Sequence, residues 1–307
     1  MAPDTFYMVT DRIREMKHPP LGILCGLGEP LLHAQFLSLV RHARQHDMSL
    51  SMTTNASLLT RDLSRFLLDE GLSTISFSVS NMGADYEKTY GLKFEATHRN
   101  IMDFLELKKA YPKRTRTEVN IVKYDGNRGR IRKFKRYWKK AGINSPQIMS
   151  ESNRAGACAH DYFFLANDRH LKESIKMLLD QGLSLLCPLP FISVFVGWDG
   201  NYYICCQDYE KTSALGTVHE YSIREMDRIK KKHLLANRIE ACRNCMFHPV
   251  NRVREYMFRM ERGTAKKRRL QRMFKEISKT QEILKHIFQP AAGPHTSDKP
   301  PGEEDFF

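Results

Sequence analysis

The chain has 307 residues, with 49 Lys and Arg against 35 Asp and Glu, a formal net charge of +14, 41% hydrophobic residues and a mean hydropathy of -0.49. That length holds one large domain or two smaller ones, and the apolar fraction supports a packed core, which excludes a disordered chain. No apolar run approaches the ~18 residues of a membrane-spanning helix and residues 1–16 lack a secretory-signal pattern, so the expected location is the cytoplasm, where the seven cysteines are free thiols or metal ligands rather than disulfides.

Residues 4–16 predict a helix capped by Asp4 or Thr5 and stopped by Pro19 and Pro20. Residues 21–26 read as a short buried strand running into Gly28, Glu29 and Pro30. A helix over 31–46 follows, with Phe36, Leu39, Val40 and Ala43 at helical spacing. Strand 50–55, a helix from Thr60 to near Gly71, strand 74–80, helix 96–110, strand 117–122, a basic helix 131–141 and a short strand 147–149 continue the alternation. This rhythm implies βα units and a parallel sheet, open or closed into a barrel, with functional residues at the carboxyl ends of the strands. Glu29, Asn55, Ser78 and Arg154 all fall at or just beyond such ends.

After Gly156 the pattern changes. A helix lies within 161–181. Aromatic strands are expected at 191–195 and 202–205, joined by Trp198, Asp199 and Gly200, where Asp-Gly between apolar runs signals a hairpin. Ser222 and Glu225 form a capping box for a helix reaching about 237. A long basic helical stretch over 252–288 breaks at Gly263, and its Leu270, Met273, Phe274 and Ile277 share one face. From Pro290 onward the composition is that of a disordered tail. Two blocks carry the charge: residues 105–140 hold 14 Lys and Arg against 3 acids, and residues 251–289 hold 12 against 4. Phosphate contacts are one reading of these blocks; solvated basic helix faces are the favoured one.

Cys187 precedes Gly200 by thirteen positions, Cys205 follows five later, and Cys242 and Cys245 form a C-x-x-C. A hairpin between two cysteines plus a distant C-x-x-C can gather four thiolates about one metal centre, suited to zinc or an iron–sulfur cluster; spacing alone does not separate the two, and four unconnected buried thiols are the alternative.

With the Trp198-Asp199-Gly200 turn and the Cys205-Cys206-Gln207-Asp208 run, this pattern resembles the SPASM or twitch domain that follows the barrel in radical S-adenosylmethionine (radical SAM) enzymes and holds auxiliary 4Fe-4S clusters. Gly28-Glu29-Pro30 resembles the family motif that binds the amino group of S-adenosylmethionine, Thr54-Asn55 the next strand end, Ser78 the strand that approaches the ribose or carboxylate, and Asn153-Arg154 the run after the last barrel strands. The resemblance implies a partial (β/α)6 TIM-like barrel missing its first strand over residues 1–157, a connecting helix over 158–185, a cluster domain over 186–250, a basic helical extension over 251–289 and a tail over 290–307. It implies cofactor contacts at Gly28, Glu29, Pro30, Thr54, Asn55, Ser78, Asn153 and Arg154, and cluster ligands at Cys187, Cys205, Cys242 and Cys245. It also implies a peptide or protein substrate and a reductant such as a flavodoxin or ferredoxin.

Two departures stand out. The family's C-x3-C-x2-C is absent: outside the four ligands stand Cys25, expected in the core of its strand, Cys158, expected to be idle, and Cys206, expected to face away from Cys205. A truncated reading frame is the favoured explanation, and a degenerate non-catalytic protein the alternative. In addition, Tyr90-Gly91 stands where relatives carry Arg-Gly, so a hydroxyl replaces a charge. The residues identify neither the substrate nor a catalytic acid or base.

Overall fold

The structure is a computed structural model. It describes residues 1–16, 21–26, 28–111, 115–158, 168–236, 239–243, 245–261, 263 and 267–288. The expected stop at Pro19 and Pro20, the opening of the 161–181 segment and the tail from Pro290 lie outside these residues.

The first part is a run of βα units: α1 (Pro3–Arg14), β1 (Gly22–Leu24), α2 (Phe36–Gln45), β2 (Leu50–Thr54), α3 (Arg61–Asp69), β3 (Thr74–Ser78), α4 (Ala84–Tyr90), α5 (Phe94–Lys108), β4 (Arg116–Lys123), α6 (Ile131–Lys140) and β5 (Ser145–Ser150). The five strands form one parallel sheet in sequence order, β1-β2-β3-β4-β5. Sequential order means that every crossover moves the same way, as in a barrel wall, rather than reversing as in a doubly wound sheet. Along β4 the burial alternates: Thr117, Val119 and Ile121 pack toward the helices, while Glu118 and Asn120 face the concave side. On the helix side Phe77 meets Phe104 edge to face at 5.8 Å, and Phe134 and Trp138 of α6 join the same core. Ile131 packs against that core as well, and the Lys and Arg side chains of α6 are exposed.

The second part comprises α7 (Asp168–Asp180), α8 (Leu189–Ile192), β6 (Phe195–Val196), β7 (Asn201–Tyr203), β8 (Ala214–Thr217), α9 (Ile223–Leu235), α10 (Glu240–Arg243), α11 (Pro249–Glu261) and α12 (Lys267–Phe288). Strands β6, β7 and β8 form an antiparallel sheet. Its Tyr202 and Val218, with Ile223 and Met226 of α9, belong to the main core, so the small sheet packs directly against the first part. Helices α11 and α12 flank Gly263, whose φ of +65° is open to glycine without strain, and this accounts for the expected break. The Ser222–Glu225 capping box is present, with Glu225 N–H donating to Ser222 Oγ at 3.3 Å and Ser222 N–H donating to Glu225 Oε2 at 2.8 Å. Among the described residues no helix is long and apolar enough to cross a membrane.

Three expectations are corrected. Residues 191–195 do not form one strand: the helical turn α8, with Pro190 in its first turn, runs to Ile192, and the strand β6 starts only at Phe195. Residues 31–46 are not one helix, because a short 3-10 turn at Pro30–Leu32 precedes α2. Cys25 is not in the core: β1 stops at Leu24, and Cys25 is exposed where the chain leaves the sheet edge.

Candidate metal centre

Cys187, Cys205, Cys242 and Cys245 line one cavity of about 350 Å3, counting its open mouth, with Ile204 and Ala241 among its apolar walls. Each cysteine arrives by a separate local device. Cys187 enters α8, where Pro188 and Pro190 tighten the chain. Cys205 follows β7 at the end of the hairpin. There Gly200 takes φ +80° and its N–H donates to the Gly197 carbonyl at 3.1 Å, closing the turn. The strand ends at Tyr203, before the two cysteines; Cys205 is buried and Cys206 exposed. Cys242 and Cys245 sit at α10 and the loop after it, held from behind by the buried amide of Asn251 on α11. Its Nδ2 lies 3.2, 2.8 and 3.0 Å from the carbonyls of Cys242, Arg243 and Cys245. Gln281 of α12 does the same for the approach to Cys187: it accepts from Ser184 N–H at 3.0 Å and donates to the carbonyls of Ser184 and Leu186. The basic C-terminal helices thus hold the cysteine loops, a role that charge counting alone did not signal. Asp208, also on the cavity wall, accepts from the N–H groups of Thr212 and Ser213 at 3.0 and 2.9 Å and fixes the loop after Cys206.

Burial pushes the Cys187 thiol up to about 11 and Cys242 up to about 12, with Cys245 the largest neighbouring thiol contribution to Cys242; it raises Cys205 and Cys245 as well. Against this, the Gln207 N–H donates to the Cys205 sulfur at 3.4 Å, and the backbone at Leu189 draws Cys187 down, as the backbone at Phe247 and His248 draws Cys245 down. Such donors favour the thiolate, the form that ligates metal. Burial also pushes His248, on the same wall, down to about 4, leaving a neutral imidazole. Four soft donors in an apolar cavity fit a thiolate-bound metal group.

The predicted cofactor residues divide into two groups. Glu29 lies just beyond β1, at the carboxyl end of the sheet. Its Oε1 accepts from Thr54 Oγ1 at 2.7 Å and Leu31 N–H at 3.2 Å, and its Oε2 accepts from Asn55 N–H at 2.8 Å. Glu29, Thr54 and Asn55 therefore form one rim, with Pro30 opening the turn that presents the Leu31 N–H. A carboxylate offers about four acceptor positions, so Glu29 retains capacity for one further donor. A Cβ at Gly28 would meet nothing within 4 Å; the position lies open. Ser78 stands on the concave face, paired with Asn120, which in turn pairs with Gln147. The neighbouring row holds Thr53, Ser76, Glu118 and Ser145. Sequence reading missed this polar inner face because its residues look like ordinary strand alternation. Tyr90 does not stand free: its hydroxyl donates to Ser80 Oγ at 3.0 Å and accepts from Ser80 N–H at 3.1 Å, bracing the end of β3.

Asn153 and Arg154 are the second group, and Asn153 is tied to the cysteine loop. Asn153 Oδ1 accepts from Met246 N–H at 3.1 Å, one residue past Cys245, and Asn153 N–H points at the Met246 sulfur at 3.1 Å. Arg154 and Ala155 take φ +50° and +56°, conformations that cost non-glycine residues energy, and Ala155 reaches the cavity wall. This strained turn joins the end of β5 to the C-x-x-C loop.

A parallel barrel-type sheet with a carboxylate-bearing rim is followed by a hairpin domain with a four-thiol cavity, a fold shared with solved structures. Residues 187–246 match the SPASM family, an iron–sulfur cluster-binding domain. The chain is similar to anSMEcpe with bound AdoMet at 16% identity and a TM-score of 0.55, covering 85% of this chain and 89% of that one. It is also similar to SuiB of Streptococcus suis bound to the precursor peptide SuiA, at 12% identity and a TM-score of 0.58, covering 81% of this chain and 64% of that one. Over 79 residues it is 28% identical to the tungsten-containing aldehyde ferredoxin oxidoreductase cofactor-modifying protein of Pyrococcus furiosus; that match spans 26% of this chain and only 22% of the relative's length.

Proposed function

We propose that this chain is the cofactor barrel and auxiliary-cluster portion of a radical SAM enzyme that modifies a peptide or protein, working in the cytoplasm with a flavodoxin- or ferredoxin-type reductant. The observation that carries the reading is the Asn153–Met246 tie, which joins the end of the barrel wall to the loop of two cluster ligands. Cys187, Cys205, Cys242 and Cys245 would hold an auxiliary 4Fe-4S cluster. Glu29 would accept the ammonium of S-adenosylmethionine in its remaining acceptor position, with Gly28 allowing approach, Thr54 and Asn55 fixing the carboxylate, and Pro30 fixing the turn. Ser78 would face the bound cofactor, and Asn153 and Arg154 would close the site from the cluster side. In such an enzyme a separate 4Fe-4S cluster on a C-x3-C-x2-C, a motif absent from these 307 residues, would reduce S-adenosylmethionine and supply a 5′-deoxyadenosyl radical that takes a hydrogen atom from substrate. A peptide or protein substrate is supported by the fold shared with SuiB, which is bound to a precursor peptide.

A second reading, a non-catalytic cluster protein, is favoured by one fact: these 307 residues contain no C-x3-C-x2-C. One experiment separates the two. The chain is expressed with the in-frame coding sequence upstream of Met1, reconstituted with iron and sulfide, and assayed for 5′-deoxyadenosine from S-adenosylmethionine under reduction. The enzyme reading expects a C-x3-C-x2-C in the added segment and 5′-deoxyadenosine that depends on it. An added segment without the motif, and no product, leaves the non-catalytic reading.

A further inference from the structure

Away from both sites, α1 and α2 bring three metal-ligating side chains together. Asp11 lies on α1, while His42 and His46 stand one turn apart at the end of α2 and share one face. One ligand atom from each lies within 4.8 Å of those of the other two. Among the described residues no hydrogen bond or ion pair joins any two of the three directly, and the His42 and His46 rings meet edge to face with centroids 4.4 Å apart. Two imidazoles at i and i+4 with a carboxylate from a neighbouring element form a three-ligand set with an open fourth position, suited to zinc and its borderline neighbours.

The hydrogen bonding assigns a nitrogen on His42. Thr10 Oγ1 gives its single proton to the Tyr7 carbonyl at 2.7 Å, so the 3.1 Å contact between Thr10 Oγ1 and His42 Nε2 has the imidazole as donor. The proton therefore sits on Nε2, and His42 Nδ1 carries the free lone pair. A metal-bound histidine is held in this way, with the other ring nitrogen donating to a fixed oxygen. His46 is the contested ligand: Arg14 Nη1 donates to its Nδ1 at 3.2 Å. Arg14 is exposed at the end of α1 and can swing into water.

We propose that Asp11, His42 and His46 form a binding site for a zinc-class divalent cation, which links α1 to α2 and which Arg14 opposes. The site is independent of the cluster cavity and of the barrel rim.

The test is a titration with Co2+, followed by visible absorption, of the full chain after anaerobic loading of iron and sulfide. The expected result is one equivalent bound with the d–d bands of nitrogen and oxygen ligands and no sulfur charge-transfer band. The His42→Ala, His46→Ala double variant loses roughly 100-fold or more in affinity, Asp11→Asn loses roughly 10-fold, and Arg14→Ala gains several-fold. Metal-free melting of each variant checks folding, and Asp11→Asn and Arg14→Ala decide the matter if the double variant does not fold. Sulfur charge transfer in proportion to the bound Co2+, or wild-type affinity in these variants, overturns the proposal.

Discussion

The barrel rim and the cysteine cavity solve the same problem in opposite ways. At the rim, Glu29 is matched by hydroxyl and backbone donors from Thr54, Asn55 and Leu31, so its carboxylate is stable in the chain by itself. In the cavity, burial raises four thiols above their ordinary range, and the Gln207 N–H already points at the Cys205 sulfur. The rim is built to receive a ligand; the cavity is built to be completed by one. Metal should therefore be worth far more to the folding of the second part than S-adenosylmethionine is to the first.

The largest test of that contrast is removal of a ligand. Cys205→Ala is expected to abolish cluster loading and to lower the melting temperature of reconstituted protein nearly to that of the apo chain, read by iron analysis and calorimetry. Glu29→Ala should leave loading intact, which sharpens the difference. Next in size is Asn251→Ala, which strips the shared donor from three carbonyls of the C-x-x-C loop and should cost about 1–3 kcal/mol in denaturant unfolding while slowing cluster loading. Asn153→Ala should cost a similar amount by leaving Met246 N–H unpaired, and should lower 5′-deoxyadenosine formation without lowering iron content. Ser222→Ala, which removes the helix cap of α9, should cost about 1 kcal/mol and leave loading unchanged.

The smallest effect is a pH dependence in the hairpin. Burial works against ionisation of Asp199, but hydrogen bonds from Tyr203 and Asn201 prevail and hold its carboxyl down to about 2. A depressed carboxylate contributes stability that is present above its unfolded value of 3.8 and is lost as pH falls from there through about 2. Asp199→Asn should flatten that part of the acid unfolding curve.

Much of the molecule was legible from residue order. The βα alternation gave the parallel sheet, Asp199-Gly200 the hairpin, Ser222 and Glu225 the helix start, and Gly263 the break between α11 and α12. The misses have physical causes. An apolar run such as 191–195 does not distinguish a strand from a buried turn, and Pro190 decided it. Helix α4 is seven residues long and mostly polar, so it leaves no periodic signal; β8 is four residues long and interrupted by Gly216 at φ +132°. At the site, the cysteines announced themselves by spacing, whereas Asn251 and Gln281 act at a distance in sequence and look like any polar residue on a basic helix. Asn153 was singled out for cofactor contact, yet the structure gives it Met246 as a partner 93 positions away.

Metal analysis of the anaerobically reconstituted chain tests the central claim most directly. The account predicts about four irons and four sulfides per chain, with no zinc at the four cysteines, and loss of both iron and sulfide in Cys205→Ala. One zinc and no sulfide per chain, or iron retained in full by that variant, would contradict it.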